Sequence, residues 1–221
     1  MVNPKCAQCK PKYCSQGITD KTPLPSFCPH KNFKNLFEKV ARKYQSEEIK
    51  HLYVASALTE KECYDERTYR EAGLVVPRWP RIREISEFAK KIGARKIDIA
   101  FCNGLSEEAA RVSQILEKHG LEVSSVVCSC GSIDKQELGV PAEYKIREKE
   151  KFEAGCSPLH QAEVLNRAKT DINVIVGLCV GHDMLFTKYS NAPVTTLIVK
   201  DRLTGHNPLA SLYSKYHRNI V

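Results

Sequence analysis

Three short apolar runs, each leading into a cysteine, constrain this chain more than any other feature. INVIVGL at 172–178 precedes Cys179, KIDIAF at 96–101 precedes Cys102, and LEVSSVV at 121–127 precedes Cys128. INVIVGL is rich in β-branched residues, short for a helix and without polar alternation, which is the pattern of a parallel strand covered on both faces. VTTLIVK at 194–200 supplies a fourth run. Helix-like stretches separate the runs, with Ser106 as a start signal and Gly93 and Gly120 as stops. Such alternation implies right-handed crossovers and one parallel sheet. The expected fold class is α/β: a Rossmann-like parallel sheet of about four strands with flanking helices, preceded by a small cysteine-rich metal-binding and helical N-terminal region. In an open parallel sheet the ligand crevice lies outside the carboxyl ends of the strands, so Cys102, Cys128 and Cys179 are expected to converge there. No G-x-G-x-x-G follows the first strand, so the dinucleotide fingerprint is absent.

At 221 residues the chain can bury one substantial core plus a small appendage. No run reaches the roughly 18 apolar residues of a membrane span, and MVNPKCAQCK lacks the basic-then-apolar design of a signal peptide. A cytoplasmic protein is expected, with no membrane partner. In that compartment ten cysteines point to metal ligation or redox chemistry rather than to a disulfide framework. The net charge of +8 comes from bases scattered among acids, as in KKIGARK and YKIREKEKFE, so it reads as solvated surface. Small anionic or sulfur-containing ligands rank above nucleic acid as partners.

Residues 1–30 carry Cys6, Cys9, Cys14 and Cys28 in a C-x2-C-x4-C-x13-C pattern among prolines and lysines, with too few apolar residues for a core. Four thiolates around Zn²⁺ or an iron–sulfur cluster would order such a stretch, since metal binding supplies roughly 10–16 kcal/mol to a small zinc unit. A structural metal is the reading, zinc being more plausible here than at the second site. Cys28-Pro29 resembles the Cys-Pro step beside ferredoxin cluster ligands. From residue 31 to about 73 the apolar spacing is helical, and Thr59 with Glu62 reads as a capping box opening a further helix through Arg70. The prolines of VVPRWP then mark the boundary, giving a cysteine-rich, helical region at 1–76 and a Rossmann-like domain at 77–221.

Within the second region the loop from Ser129 to about residue 154 is polar and aperiodic, a candidate lid. Gly155-Cys156-Ser157-Pro158 opens the next helix, and a cysteine at a helix N-terminus has a lowered pKa. Cys156 is therefore the fourth candidate ligand, or a nucleophile or acid–base beside an open centre. His182 follows Cys179 by three residues and is a candidate acid–base or ligand, oriented by Asp183 or Asp201, although Asp183 reads equally well as a helix cap. Lys200 and Arg202 follow the fourth strand and could clamp an anion. His206 and Asn207 occupy a turn. Gln161 could face the crevice, and Cys63 reads as an ordinary core thiol.

The segments AFCNGLSEEA, GCSPLHQAEVLN, NVIVGLCVGHDMLF, APVTTLIVKDR and GHNPLASLY resemble those of an uncharacterised metal-binding family, a domain of unknown function found in archaea and anaerobic bacteria. The resemblance covers most of the chain and implies metal binding without an established reaction. This sequence departs from the family pattern at Ser157, where asparagine is expected before the proline, and at Ser129-Cys130. Soft thiolates favour iron–sulfur clusters, zinc or cuprous copper. A 4Fe-4S cluster is the favoured cofactor, with zinc the alternative. Three readings follow: an enzyme with an open metal position, a non-catalytic electron-transfer or metal-delivery protein with a redox or metal-receiving partner, and a zinc-stabilised interaction module.

Overall fold

The computed structural model describes residues 2–218 and 220, and the chain divides into two compact units, Met1–Ala57 and Leu58–Val221. The first unit begins with 3-10 turns at Cys6–Gln8 and Tyr13–Ser15. It continues through α1 (Pro29–Asn32), α2 (Lys34–Lys43) and α3 (Glu47–Glu62), the last of which runs on past the division. Pro29 takes the first helical position, where its missing N–H costs nothing. Leu36, Phe37 and Val40 keep the helical spacing, yet α2 has no buried residue.

The capping reading of Thr59 and Glu62 is corrected. Both lie inside α3, whose strong helix formers carry it through Glu62. The next helix, α4 (Glu66–Ala72), is capped by Asp65, whose carboxylate accepts the amides of Arg67 and Thr68 at 3.3 Å each. Gly73 ends it at φ 69°, a left-handed conformation that glycine adopts without strain. The proline-rich stretch is stitched back onto the end of α3: the Asp65 amide donates to the Val76 carbonyl (2.9 Å) and the Arg78 amide to the Cys63 carbonyl (2.7 Å).

The rest of the second unit alternates strand and helix. Its elements are α5 (Arg81–Lys91), β1 (Lys96–Phe101), α6 (Ser106–Lys118), β2 (Glu122–Val127), α7 (Pro158–Ala168), β3 (Ile172–Val176), α8 (His182–Tyr189) and β4 (Val194–Ile198). Two short helices follow, α9 (Leu209–Tyr213) and α10 (Lys215–Arg218). The four strands form a parallel sheet in the order β2-β1-β3-β4. Every residue of β3 is buried and β1 is buried at its four inner positions, whereas the edge strands β2 and β4 have no fully buried residue. That gradient explains why INVIVGL, broken only by Asn173, reads as an apolar run and LEVSSVV does not. The core gathers Ile97, Ile99, Val174, Val176, Leu165 and Phe186. At about 25 cal/mol per Å² of apolar surface, burying each large side chain contributes roughly 1.5–3 kcal/mol.

One strand pair carries polar groups into this core. Asp98 on β1 and Asn173 on β3 are register partners, and both are wholly buried. The Thr170 hydroxyl lies 3.0 Å from the Asp98 carboxyl and 3.0 Å from Asn173 Oδ1. One hydroxyl has one hydrogen to give. A protonated Asp98 that donates to Thr170, which donates onward to Asn173, uses that hydrogen without conflict, while Asp98 Oδ1 and Asn173 Nδ2 stay buried without a hydrogen-bond partner. Burial, the largest influence, accordingly pushes the Asp98 pKa from 3.8 to about 7, outweighing its contacts with Thr170 and the Val174 amide.

Candidate functional site at the strand ends

The strand order reverses between β1 and β3, because β2 follows β1 on one side and β3 is added on the other. Crevices in open α/β sheets form outside the carboxyl ends at such a switch point. Here those ends deliver, across the sheet, Cys128 after β2, Cys102 after β1, Cys179 shortly after β3, and Lys200 with Arg202 after β4.

The sequence folds locally to hold these side chains. Cys128 continues the β1–β2 ladder through its amide to the Phe101 carbonyl (2.8 Å), and Cys102 does the same toward Val176 (3.1 Å). A 3-10 turn at Asn103–Leu105 then leads into α6, and the Asn103 amide donates to Cys128 Sγ at 3.3 Å. After β3 the chain must turn sharply past Leu105. Gly177 does so at φ 68°, and a Cβ there would stand 1.9 Å from Leu105 Cδ1, so only glycine fits. Cys156 arrives from the other direction. The Ser157 amide donates to the Cys128 carbonyl at 2.7 Å, which brings the Cys156 thiol to 3.8 Å from Cys128 Sγ. Gln161 on α7, wholly buried, donates to the Phe101 (3.3 Å) and Val126 (2.8 Å) carbonyls. It stitches α7 to the ends of β1 and β2, and so positions Cys156.

Two cations point at sulfur. Lys200 Nζ lies 3.3 Å from Cys102 Sγ, and an Arg202 guanidinium nitrogen lies 2.9 Å from Cys179 Sγ. The thiols are electrostatically unequal. Cys102 is pushed up to about 12, first by its contact with Cys128 and then by burial. Cys128 is lowered by Cys102, but its contact with Cys156 and its own burial outweigh that and raise it. Cys156 is lowered, chiefly because the Cys128 thiol hydrogen-bonds to it. The helix dipole inferred from sequence is not the leading cause.

The loop that carries Cys156 to this place is held by charge rather than by apolar packing. Lys145 is buried against Asp134 (3.0 Å) and the Lys151 carbonyl (2.8 Å). Glu153 accepts Lys135 and the amides of Ile146 and Arg147. Asp134 is lowered to about 2, first by the Gln136 amide, then by the Glu153 amide and Lys145. Glu153 is lowered to about 2, first by Lys135 and then by the Arg147 amide. An Asp134–Ala154 bridge closes the loop just ahead of Gly155 and Cys156.

Other candidates have other work. Asp183 accepts the amides of Gly181 and Met184, so its carboxylate holds the turn into α8. Asp201 accepts the amides of Leu203 and Thr204, and its own amide donates to His206 Nδ1. His182 opens α8 with its amide on the Cys179 carbonyl, while its Nδ1 is buried without a hydrogen-bond partner. Cys130 is half-buried, its pKa raised by burial and then by Cys128. Cys63 is buried at the end of α3. In the first unit Cys6 and Cys14 are exposed, Cys9 faces the Pro11 carbonyl at 3.3 Å, and Cys28 is buried.

Among the described residues no group of three or more histidine, cysteine, aspartate or glutamate side chains is arranged to hold a metal ion. One pair comes near that geometry. A tetrahedral ion bound at about 2.3 Å by thiolates spaces them roughly 3.8 Å apart, and Cys128 and Cys156 stand at 3.8 Å. The donor set also suits a thiophilic centre, because two cations and a main-chain amide already offset thiolate charge. Also among the described residues, no helix is long and apolar enough to cross a membrane.

Comparison with known proteins gives a family but no reaction. A family model described as "Protein of unknown function (DUF1847)" matches residues 28–197. An uncharacterised protein of Methanocaldococcus jannaschii is 41% identical over 213 residues, covering 96% of this chain and 95% of the relative.

Proposed function

Since the chain belongs to a family of unknown function, DUF1847, we propose its role from the site itself: a metal-binding protein whose Cys102, Cys128, Cys156 and Cys179 hold an iron–sulfur centre. What supports this reading is that four thiols from four separate segments lie at the same strand ends, Cys102 and Cys156 each against Cys128, with Lys200 and Arg202 directed at two of the sulfurs. A cluster is several atoms across, so its thiolates ring a wider volume than a single ion needs. When bound, the centre would supply electron transfer or Lewis-acid binding of a ligand atom. The chain's own part is to neutralise charge: Lys200 and Arg202 offset the thiolates and draw an anionic or sulfur-bearing ligand to the strand ends. The Asn103 amide donates to sulfur from a main chain that cannot rotate away.

The N-terminal quartet Cys6, Cys9, Cys14 and Cys28 is a second, structural metal site on this reading, with zinc or a cluster ordering a segment that has no core of its own. Both sites belong in a reducing cytoplasm, where thiols stay available.

The test is anaerobic reconstitution with iron and sulfide, followed by iron and sulfide analysis and visible absorption. Wild-type protein is expected to gain a charge-transfer band that Cys102→Ser and Cys179→Ser each abolish or shift. Protein that stays colourless, or that keeps an unaltered band in both variants, defeats the assignment. Zinc alone at both sites would move the protein to the interaction-module reading.

A further inference from the structure

We propose that in the metal-free protein Cys128 and Cys156 form a reversible disulfide, making the strand-end site a thiol–disulfide couple as well as a ligand set. The inference rests on three observations of geometry. The two sulfurs already stand 3.8 Å apart, so modest side-chain rotation brings them to a bond of about 2.05 Å. Their main chains meet at the 2.7 Å bond from the Ser157 amide to the Cys128 carbonyl, the close backbone approach a disulfide requires, with Cα atoms within roughly 4.4–6.8 Å. The 27 residues between them form a loop closed independently by the Asp134–Ala154 bridge, so the pair is presented without help from the bond.

Exposure sets the order of events. Of the pair, Cys156 is half-buried and Cys128 buried, so a small-molecule disulfide meets Cys156 before Cys128. The Cys156 sulfur, having lost its proton to solvent, attacks one sulfur of the reagent. The reagent's S–S bond breaks, and one half leaves as a thiolate. Cys128 then loses its proton and attacks Cys156 Sγ, expelling the second half. Two protein thiols are oxidised, one reagent disulfide is reduced to two thiols, and the two released protons end on them. Cys102 and Cys179 are the alternative resolving thiols, and the 3.8 Å approach of Cys128 Sγ to Cys156 Sγ favours Cys128. Only the consequence, that oxidation withdraws two ligands from a metal, depends on the proposed function. The bond does not.

The experiment uses full-length protein stripped of metal by chelation under anaerobic conditions and then treated with oxidised glutathione. A Cys130→Ala background leaves one thiol in the tryptic peptide 119–135, and peptide 152–167 carries Cys156 alone. Peptide mapping is the readout, because the exposed Cys6 and Cys14 also react. The expected result is a cross-link between these two peptides, lighter by two hydrogens, with no glutathione retained and full reversal by dithiothreitol. In Cys128→Ser the reaction should stop with glutathione attached to Cys156, trapping the intermediate. A cross-link to Cys102 or Cys179, glutathione retained on Cys156 while Cys128 is present, or no reaction at Cys156 would each overturn the proposal. Failure of iron loading with formation of this disulfide would sink only the metal reading; the reverse outcome would sink only this one.

Discussion

Asp98→Asn should stabilise the sheet domain, and by an amount that depends on pH in a calculable way. The unfolded chain releases the Asp98 proton near 3.8, whereas the folded chain keeps it until about 7. Below the unfolded value both states are protonated and nothing is lost. As pH rises between the two values the unfolded state ionises first, so folding is progressively disfavoured, and the cost levels off above the folded value. With 1.36 kcal/mol per pKa unit, the burden is about 1 kcal/mol at pH 4.5 and about 4 kcal/mol at pH 8. Asparagine has the shape of the protonated acid and can keep the bond to Thr170, but it never ionises. The variant should therefore match the parent within about 1 kcal/mol at pH 4.5 and exceed it by up to about 4 kcal/mol at pH 8. Urea titration followed by the fluorescence of Trp79, the single tryptophan and a member of the second unit, measures both. All other carboxylates are common to the two proteins and cancel in the difference. A variant destabilised at both pH values, or a difference independent of pH, would mean that Asp98 is ionised in the folded state and that the donor chain through Thr170 to Asn173 runs otherwise.

Two further perturbations address the site. Because Asp134 and Glu153 are both lowered to about 2, the stability they confer is present above their ordinary values near 4 and lost as pH falls toward 2; limited proteolysis at pH 2.5 should cut within 133–154 before the sheet unfolds, and Lys145→Met should permit that cutting at neutral pH, whereas an uncut loop would refute the polar-staple account. Gly177→Ala places a methyl into Leu105 at a left-handed φ and should cost roughly 2 kcal/mol or more by urea titration, an undiminished midpoint being the contrary result.

The central strands were legible because burial on both faces leaves a chemical trace: INVIV and KIDIAF are mostly apolar, and neither shows the regular polar alternation of a half-exposed strand. The placing of Cys102, Cys128 and Cys179 on one side of the sheet followed from one topological rule, since a parallel sheet puts every strand's carboxyl end on the same side. What sequence could not show was which polar residues serve the backbone. Asp183 reads the same whether it orients a histidine or accepts two amides, and Gln161 gives no sign in sequence that two strand carbonyls await it. Thr59 and Glu62 have the capping spacing, but the helix that precedes them does not stop, and Asp65, three residues past Glu62, does the capping. The loop after Cys130 reads as structureless because periodicity reports apolar burial. Its order comes from Lys145 and two carboxylates 19 residues apart, a device without a period.

The placement of the thiols has a consequence for the order of biosynthesis. Each of the four is supplied by a different stretch of chain, and the cations that face them come last, after β4. A ribosome that has released the chain only through Val127 has exposed Cys102 but has not delivered Cys156, Cys179, Lys200 or Arg202. A partly synthesised or truncated chain therefore offers loose thiols but no gathered set of four. The full arrangement therefore needs the chain only through Arg202, with every strand docked, so a defect in any of four distant segments would be felt at one point.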